Sequence, residues 1–293
     1  MPGMSIPRSV LLATRVVLSA AILLVCCGTS AGQSRRAARL LEKGIKSSDE
    51  GDIIGAVALF TQAIKADPGY YAAYVERGIA HYGLAEFAKA INDYNQAMSI
   101  SVADPALFMN RANALSRSAR YGEALADHRR AMAAGLVATD TLLYNMGNNF
   151  WRMGELDSAL AYYARSLLLA PEFREVHANT AFVHMIQGRY DLAVIGYAKL
   201  VRAAPEVASY WNNLGYAELR MGSPDSAEVH IQHSLRLDPE NEYAYRNRGL
   251  LYKSRNDHVK ACADLELAIK YDFVKKWGHG DLKELLAYCG REP

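Results

Sequence analysis

A period of 34 residues runs through most of the chain, and nothing else in the sequence constrains the fold as strongly. Aligned units begin at Ala37, Tyr71, Pro105, Asp140, Arg174, Ala208 and Glu242. Their twentieth residues are then Ala56, Ala90, Ala124, Ala159, Ala193, Ala227 and Ala261. Ala is 46 of 293 residues, so this coincidence arises by chance roughly a few times in a million. The eighth residue is always small: Gly44, Gly78, Ala112, Gly147, Ala181, Gly215 and Gly249. One extra residue near Thr139 is the only slip.

Each unit has the pattern of two amphipathic helices of about a dozen residues. Gly51, Gly154, Gly188 and Gly222 mark the turn between them. Asp157, Asp191 and Asp225 recur near the start of the second helix, where a carboxylate complements free amides and the helix dipole. Pro68, Pro171, Pro205 and Pro239 recur where that helix must stop. Small residues at positions eight and twenty let paired helices approach. Phe60, Tyr94, Tyr163 and Tyr197, at position twenty-four, fill the space that remains. One pair cannot bury its apolar face alone, so stacked pairs must share the core.

On these residues the chain resembles the tetratricopeptide repeat family. The sixth unit carries the family's opening as Trp211-Asn212-Asn213-Leu214-Gly215, and the fourth carries Leu143, Gly147, Gly154, Ala159, Tyr163 and Pro171 in place. The resemblance covers residues 37–275. It implies an all-α, right-handed helical solenoid of seven tandem helix-turn-helix repeats whose first helices line a concave groove. Residues 276–293 are then expected to form a C-terminal capping helix. The chain departs from the family at Val102, Leu136 and Phe273, which replace the closing Pro, and at His128 and His177, which take large-residue positions.

Residues 1–31 have the pattern of a secretory signal peptide. Arg8 and Arg15 precede the apolar run from Val16 to Cys27, and Gly28-Thr29-Ser30-Ala31 then turns small and polar. Twelve apolar residues fall short of the about 20 that span a bilayer. Cleavage after Ala31 is the expected processing; acylation at Cys26 or Cys27, or an uncleaved anchor, are the alternatives. The predicted location is periplasmic or extracellular, membrane-tethered if lipidated. The formal net charge is +2, and losing two Arg with the signal leaves the mature chain neutral. Such a chain has no electrostatic footprint for nucleic acid.

No HExxH, GxSxG, glycine-rich phosphate loop or catalytic Cys setting occurs. His230 and His233 have a metal-compatible spacing without a third ligand. No catalytic residue, metal or cofactor is therefore assigned. The expected work is non-enzymatic: gripping an extended peptide or partner protein, as an adaptor or assembly factor of the cell envelope. An enzyme with an atypical groove site and a self-associating structural component are the competing classes.

The expected partner-binding residues form a column. Asn110, Asn145, Asn179, Asn213 and Asn247 stand at position six of five consecutive units. The core face of the first helix lies at positions four, seven, eight and eleven, which aims position six toward the concave side. An amide matches both the N–H and the C=O of an extended backbone, although bonding to the neighbouring helix would use the same groups. Tyr144, Trp151, Asn212 and Arg246 are expected to add selectivity, with Arg152, Arg220 and Lys253 leaning into the same groove. A last helix opened by Asp281, with Glu284 three residues on as a capping box, would fold back and bring Cys289 level with Cys262. In an exported protein that pair is expected to be a disulfide.

Overall fold

The computed structural model describes residues 31–101, 104–278 and 280–291, and among them all regular structure is helical. Repeat one is α1 (Ala31–Asp49) and α2 (Ile53–Ala66), repeat two α3 (Tyr71–Gly83) and α4 (Phe87–Ile100), and repeat three α5 (Pro105–Arg117) and α6 (Tyr121–Ala133). Repeat four is α7 (Asp140–Arg152) and α8 (Leu156–Leu169), and repeat five α9 (Arg174–Ile186) and α10 (Tyr190–Ala203). Repeat six is α11 (Ala208–Arg220) and α12 (Pro224–Leu237), and repeat seven α13 (Glu242–Ser254) and α14 (His258–Lys270). The short α15 (Phe273–Trp277), a 3₁₀ turn at Gly280–Leu282 and α16 (Lys283–Tyr288) follow. The expected signal segment, with Cys26 and Cys27, lies outside the described residues except for Ala31. No described helix is long and apolar enough to cross a membrane.

The size alternation read from the period is how the helices pack. All seven alanines at position twenty are 0% exposed. A methyl group added at Gly44 would stand 2.5 Å from the Phe60 ring, one at Gly78 2.6 Å from Tyr94, and one at Gly215 2.7 Å from Ile231. Position eight is small because position twenty-four of the same repeat fills the gap. Close packing limits the position to glycine or alanine: at Gly44, Gly78 and Gly215 a methyl would collide, whereas repeats three and five pack one at Ala112 and Ala181.

The turn between helices requires a left-handed residue at position fifteen. Gly51, Gly154, Gly188 and Gly222 supply it with φ between 74° and 90°. Ala85, Ala119 and Asn256 occupy the same position in repeats two, three and seven, each at φ 59°. A side chain in this region costs about 1–2 kcal/mol. Packing of the flanking helices therefore imposes the turn even where its residue disfavours it.

Two capping expectations are corrected. Neither α10 nor α12 has a side-chain cap bond; their N-caps are Arg189 and Ser223, and Asp225 instead accepts from Arg255 Nη2 at 2.6 Å. Asp191 and Asp225 act on the dipole of the first turn only. At the C-terminus Leu282 is the N-cap of α16 and no capping box forms. Glu284 accepts from Lys253 Nζ at 2.6 Å, which ties α16 to α13.

The chain forms two compact bodies, which meet in sequence within α8 between Ala159 and Leu160. In the body before that point, repeats two and three each pair a half-buried guanidinium with a buried carboxylate. Arg77 donates through Nε and Nη2 to Asp93 at 2.8 and 2.7 Å, and Arg111 donates likewise to Asp127 at 2.6 and 2.8 Å. The third nitrogen reaches the preceding repeat, from Arg77 to Thr61 and from Arg111 to Asn95. His128 takes position twenty-four of repeat three, is 0% exposed, and leaves both ring nitrogens without a partner. Burial lowers its pKa to about 4, so the ring is neutral at pH 7.

The body after Ala159 links its repeats differently. Position four of each repeat bonds to the carbonyl of the Pro that closes the one before. His177 Nε2 lies 2.6 Å from Pro171 O, Trp211 Nε1 donates to Pro205 O at 2.8 Å, and Tyr245 Oη donates to Pro239 O at 2.9 Å. Repeat seven adds the Arg248–Asp264 pair, with two bonds of 2.8 Å. Leu282, Leu285 and Leu286 then cover Leu250, Leu265 and Phe273, closing the apolar end of the array.

Candidate functional site

The expected asparagine column is divided by its surroundings. In the body after Ala159, Asn179 and Asn247 are buried and Asn213 is half-buried. Asn247 Nδ2 donates to Asn212 Oδ1 at 2.9 Å, and Asn213 Nδ2 donates to Tyr197 Oη at 3.1 Å. Arg246 Nη1 donates to Asn247 Oδ1 at 2.7 Å. These side chains form one network that begins at Arg246 and ends on the buried phenol of Tyr197. Burial raises the pKa of that phenol, so it stays protonated. At Asn213 and Asn247 one amide donor is spent on the neighbouring helix or its amides, the inward bonding that the sequence leaves open beside ligand contact. In the other body Asn110 and Asn145 are half-buried, whereas Tyr144 and Trp151 are buried, with Arg152 Cζ 4.4 Å from the centroid of a Trp151 ring.

What α11 and α13 do present is an aromatic and cationic surface. Arg220 lies over the Tyr190 ring at 5.2 Å and donates to Tyr216 Oη at 3.2 Å. Arg246 lies over the Tyr216 ring at 5.1 Å. Stacking on aromatic rings and bonding at one edge hold both guanidiniums in place. Such groups suit carboxylates, because the fork matches carboxylate geometry and little freedom remains to be lost on binding. Lys253 does not share this role; it bonds to Glu284.

Beside this surface lies a pocket of about 200 Å³ whose lining includes Asn212, Asn213, Asp238, Glu242, Tyr243 and Trp277. Its walls come from α11, the α12–α13 connection, the start of α13 and the end of α15. Reading the sequence missed Trp277 and Asp238, because period arguments assign no contact to residues outside the helical repeat. The Arg–Asp pairs were also missed, although their signal is present. Arg at position seven and Asp at position twenty-three occur together in repeats two, three and seven.

His230 and His233 have structural partners. His230 Nδ1 lies 2.6 Å from Glu218 Oε2, and Trp211 packs on His230 and His233 with ring centroids 5.5 and 4.3 Å away. Among the described residues no group of three or more His, Cys, Asp or Glu could hold a metal ion. Cys262 and Cys289 have Cα atoms 5.7 Å apart and sulfurs at bonding distance, a separation that a disulfide spans without backbone movement.

Two family models, each described as a tetratricopeptide repeat, match the chain, one over residues 48–106 and 144–208 and the other over 208–241. No curated protein matches the sequence significantly. Among solved structures the chain is similar to a tetratricopeptide repeat protein from Parabacteroides merdae ATCC 43184. The identity is 18% and the TM-score 0.67, over 88% of this chain and 100% of that one. It is also similar to PilW, described as a widely conserved type IV pilus biogenesis factor (23% identity, TM-score 0.60, 71% of this chain and 96% of that one). A third is YrrB, described as a protein with an unusual peptide-binding site (19%, 0.54, 64% and 97%). At these identities the likeness extends to the fold.

Proposed function

The chain belongs to the tetratricopeptide repeat family, a fold suited to protein–protein interaction, and we propose that it is a non-enzymatic adaptor or assembly factor of the cell envelope. In this reading it holds an extended polypeptide against the first helices of its repeats. The observation that carries the proposal is the pair of guanidiniums, Arg220 and Arg246, held on Tyr190 and Tyr216 at the face of α11 and α13. A preorganised cationic and aromatic surface recognises acidic residues of a bound segment at low entropic cost. The peptide-binding site named for YrrB and the type IV pilus biogenesis named for PilW support the same reading by likeness of fold. The apolar segment from Val16 to Cys27 supports export.

Asn110 and Asn145 are assigned to the same task in the other body, where Tyr144 and Trp151 are buried in the core, and Asn212 and Asn247 to fixing Arg246. An enzymatic site on this face is the competing class. We read Cys262 and Cys289 as an oxidised pair holding the C-terminal cap. Thiol labelling of the denatured, unreduced chain from residue 32 should then find no reactive thiol; two per chain would remove the pair.

Affinity capture from envelope extracts, with residues 32–293 as bait, is the direct test. Arg220→Ala with Arg246→Ala should weaken the captured polypeptide at least fivefold while helicity is retained. Arg246→Ala also strands Asn247 Oδ1, so the unfolding midpoint should fall modestly, and Arg220→Ala alone serves as the control for stability. Unchanged binding would overturn the assignment of this face. Asn213→Ala is a poorer probe, because it strands the buried Tyr197 hydroxyl at a cost of about 1–3 kcal/mol.

A further inference from the structure

The pocket beside the guanidinium surface has the opposite polarity. Its lining includes two carboxylates, Asp238 and Glu242, and no basic side chain. Asn212 is 2% exposed, and its amide nitrogen finds only Asn213 Oδ1, at 3.5 Å, the outer limit of a hydrogen bond. The hydroxyl of Tyr243 is buried and has no partner. The Tyr243 and Trp277 rings meet with centroids 5.3 Å apart and form an aromatic wall. Glu242 Oε1 accepts from Trp277 Nε1 at 3.1 Å and lies 3.2 Å from Lys276 Nζ, so this carboxylate already holds an ammonium group of its own chain. Asp238 is exposed, and its side chain takes one long bond from the Glu240 amide at 3.2 Å.

We propose that this pocket is a subsite for a basic side chain, arginine or lysine, of the polypeptide that the module holds; the inference rests on the binding reading above. The pocket offers the Asp238 and Glu242 carboxylates and the Asn213 carbonyl as acceptors, with the Asn212 amide and the Tyr243 hydroxyl as donors. Acceptors in a semi-enclosed site favour a donor-rich cation, and the Tyr243 and Trp277 rings add cation–π attraction. An acidic side chain would meet the like charge of Asp238, and an apolar one would strip water from that carboxylate without replacing its bonds. A volume of about 200 Å³ admits one long side chain. Arg246 is joined to the pocket through Asn247 and Asn212, so the preferred segment carries an acidic residue as well as the basic one.

The indole N–H resonance of Trp277, assigned through Trp277→Phe, reports on the pocket directly. It is titrated with the peptide acetyl-Gly-Ser-Arg-Ser-Gly-amide and with the same peptide carrying citrulline, the neutral isostere of arginine. The arginine peptide should bind at least threefold more tightly, and Asp238→Asn with Glu242→Gln should abolish the difference. Because Glu242 also anchors the cap, Asp238→Asn alone is the second variant; it keeps the turn bond and should reduce the preference measurably. Equal affinities for the two peptides, or a preference that survives the double substitution, would overturn the proposal. A captured partner combined with equal peptide affinities removes the pocket and leaves the adaptor reading. An arginine preference with no captured partner does the reverse.

Discussion

Repeats two and three share their apolar register with repeats five and six, yet the polar groups that join each set to its neighbours differ. In repeats two and three a half-buried arginine at position seven pairs with a buried aspartate at position twenty-three and reaches back to the preceding repeat. These repeats have alanine at the left-handed turn position and no closing proline. In repeats five and six the turn is glycine, the proline is present, and a ring at position four bonds to the carbonyl of the preceding proline. Repeat seven combines both devices. Apolar packing has one solution at this period, because the volumes at positions eight, twenty and twenty-four must sum to a filled core. Linking backbone and side-chain polar groups has at least two, because any donor within reach satisfies an acceptor.

The comparison breaks most sharply at the ion pair. Arg111→Ala should cost about 3–5 kcal/mol in urea unfolding, since it leaves Asp127 charged and buried with one exposed partner, Arg130. Arg111→Met with Asp127→Leu should recover most of that loss. In the other set Trp211→Phe removes one bond to Pro205 and should cost about 1 kcal/mol. Similar losses for Arg111→Ala and Trp211→Phe would mean that the two devices are equivalent.

A second test concerns His128. Its folded pKa, about 4, lies below the ordinary 6.5, so the unfolded chain takes up the proton first. Stability should therefore fall as pH drops from about 6.5 and level off below about 4, by about 3 kcal/mol in all. His128→Phe, which restores the aromatic that Phe60 supplies in repeat one, should flatten this part of the profile and raise stability at pH 5. A profile unchanged by the substitution would show that another group carries the acid sensitivity.

The smallest expected effect is at the turns. Gly222→Ala should destabilise by about 1–2 kcal/mol at its φ of 80°. Ala85→Gly should lie within about 1 kcal/mol of the parent, on the stabilising side, because relief of the left-handed alanine is partly offset by a more flexible unfolded chain. If Ala85→Gly destabilises, that methyl group contributes packing that the turn geometry does not reveal.

The candidate surface was only partly legible. Arg246 was named because it falls on the first helix away from the core, and Arg220 for the same reason. Helical phase could not tell that Asn213 would bond to Tyr197, since that contact depends on the height at which one repeat sits on the next. Trp277 could not be placed at all, because it lies beyond the last period, where a left-handed Asp272 at φ 70° and Gly278 at φ 74° redirect the chain.

By itself the sequence determined that the chain is an array of seven helix pairs, where each pair turns, and which residues face the core. All of this follows from the 34-residue period, because spacing along a helix dictates which side chains share a face. Only the tertiary structure decided which amides bond inward, which guanidiniums remain on the surface, and where the acidic pocket lies. Those outcomes turn on distances of a few ångströms between side chains of different repeats and of the C-terminal cap, and hydrogen bonds and ion pairs form or fail over that range.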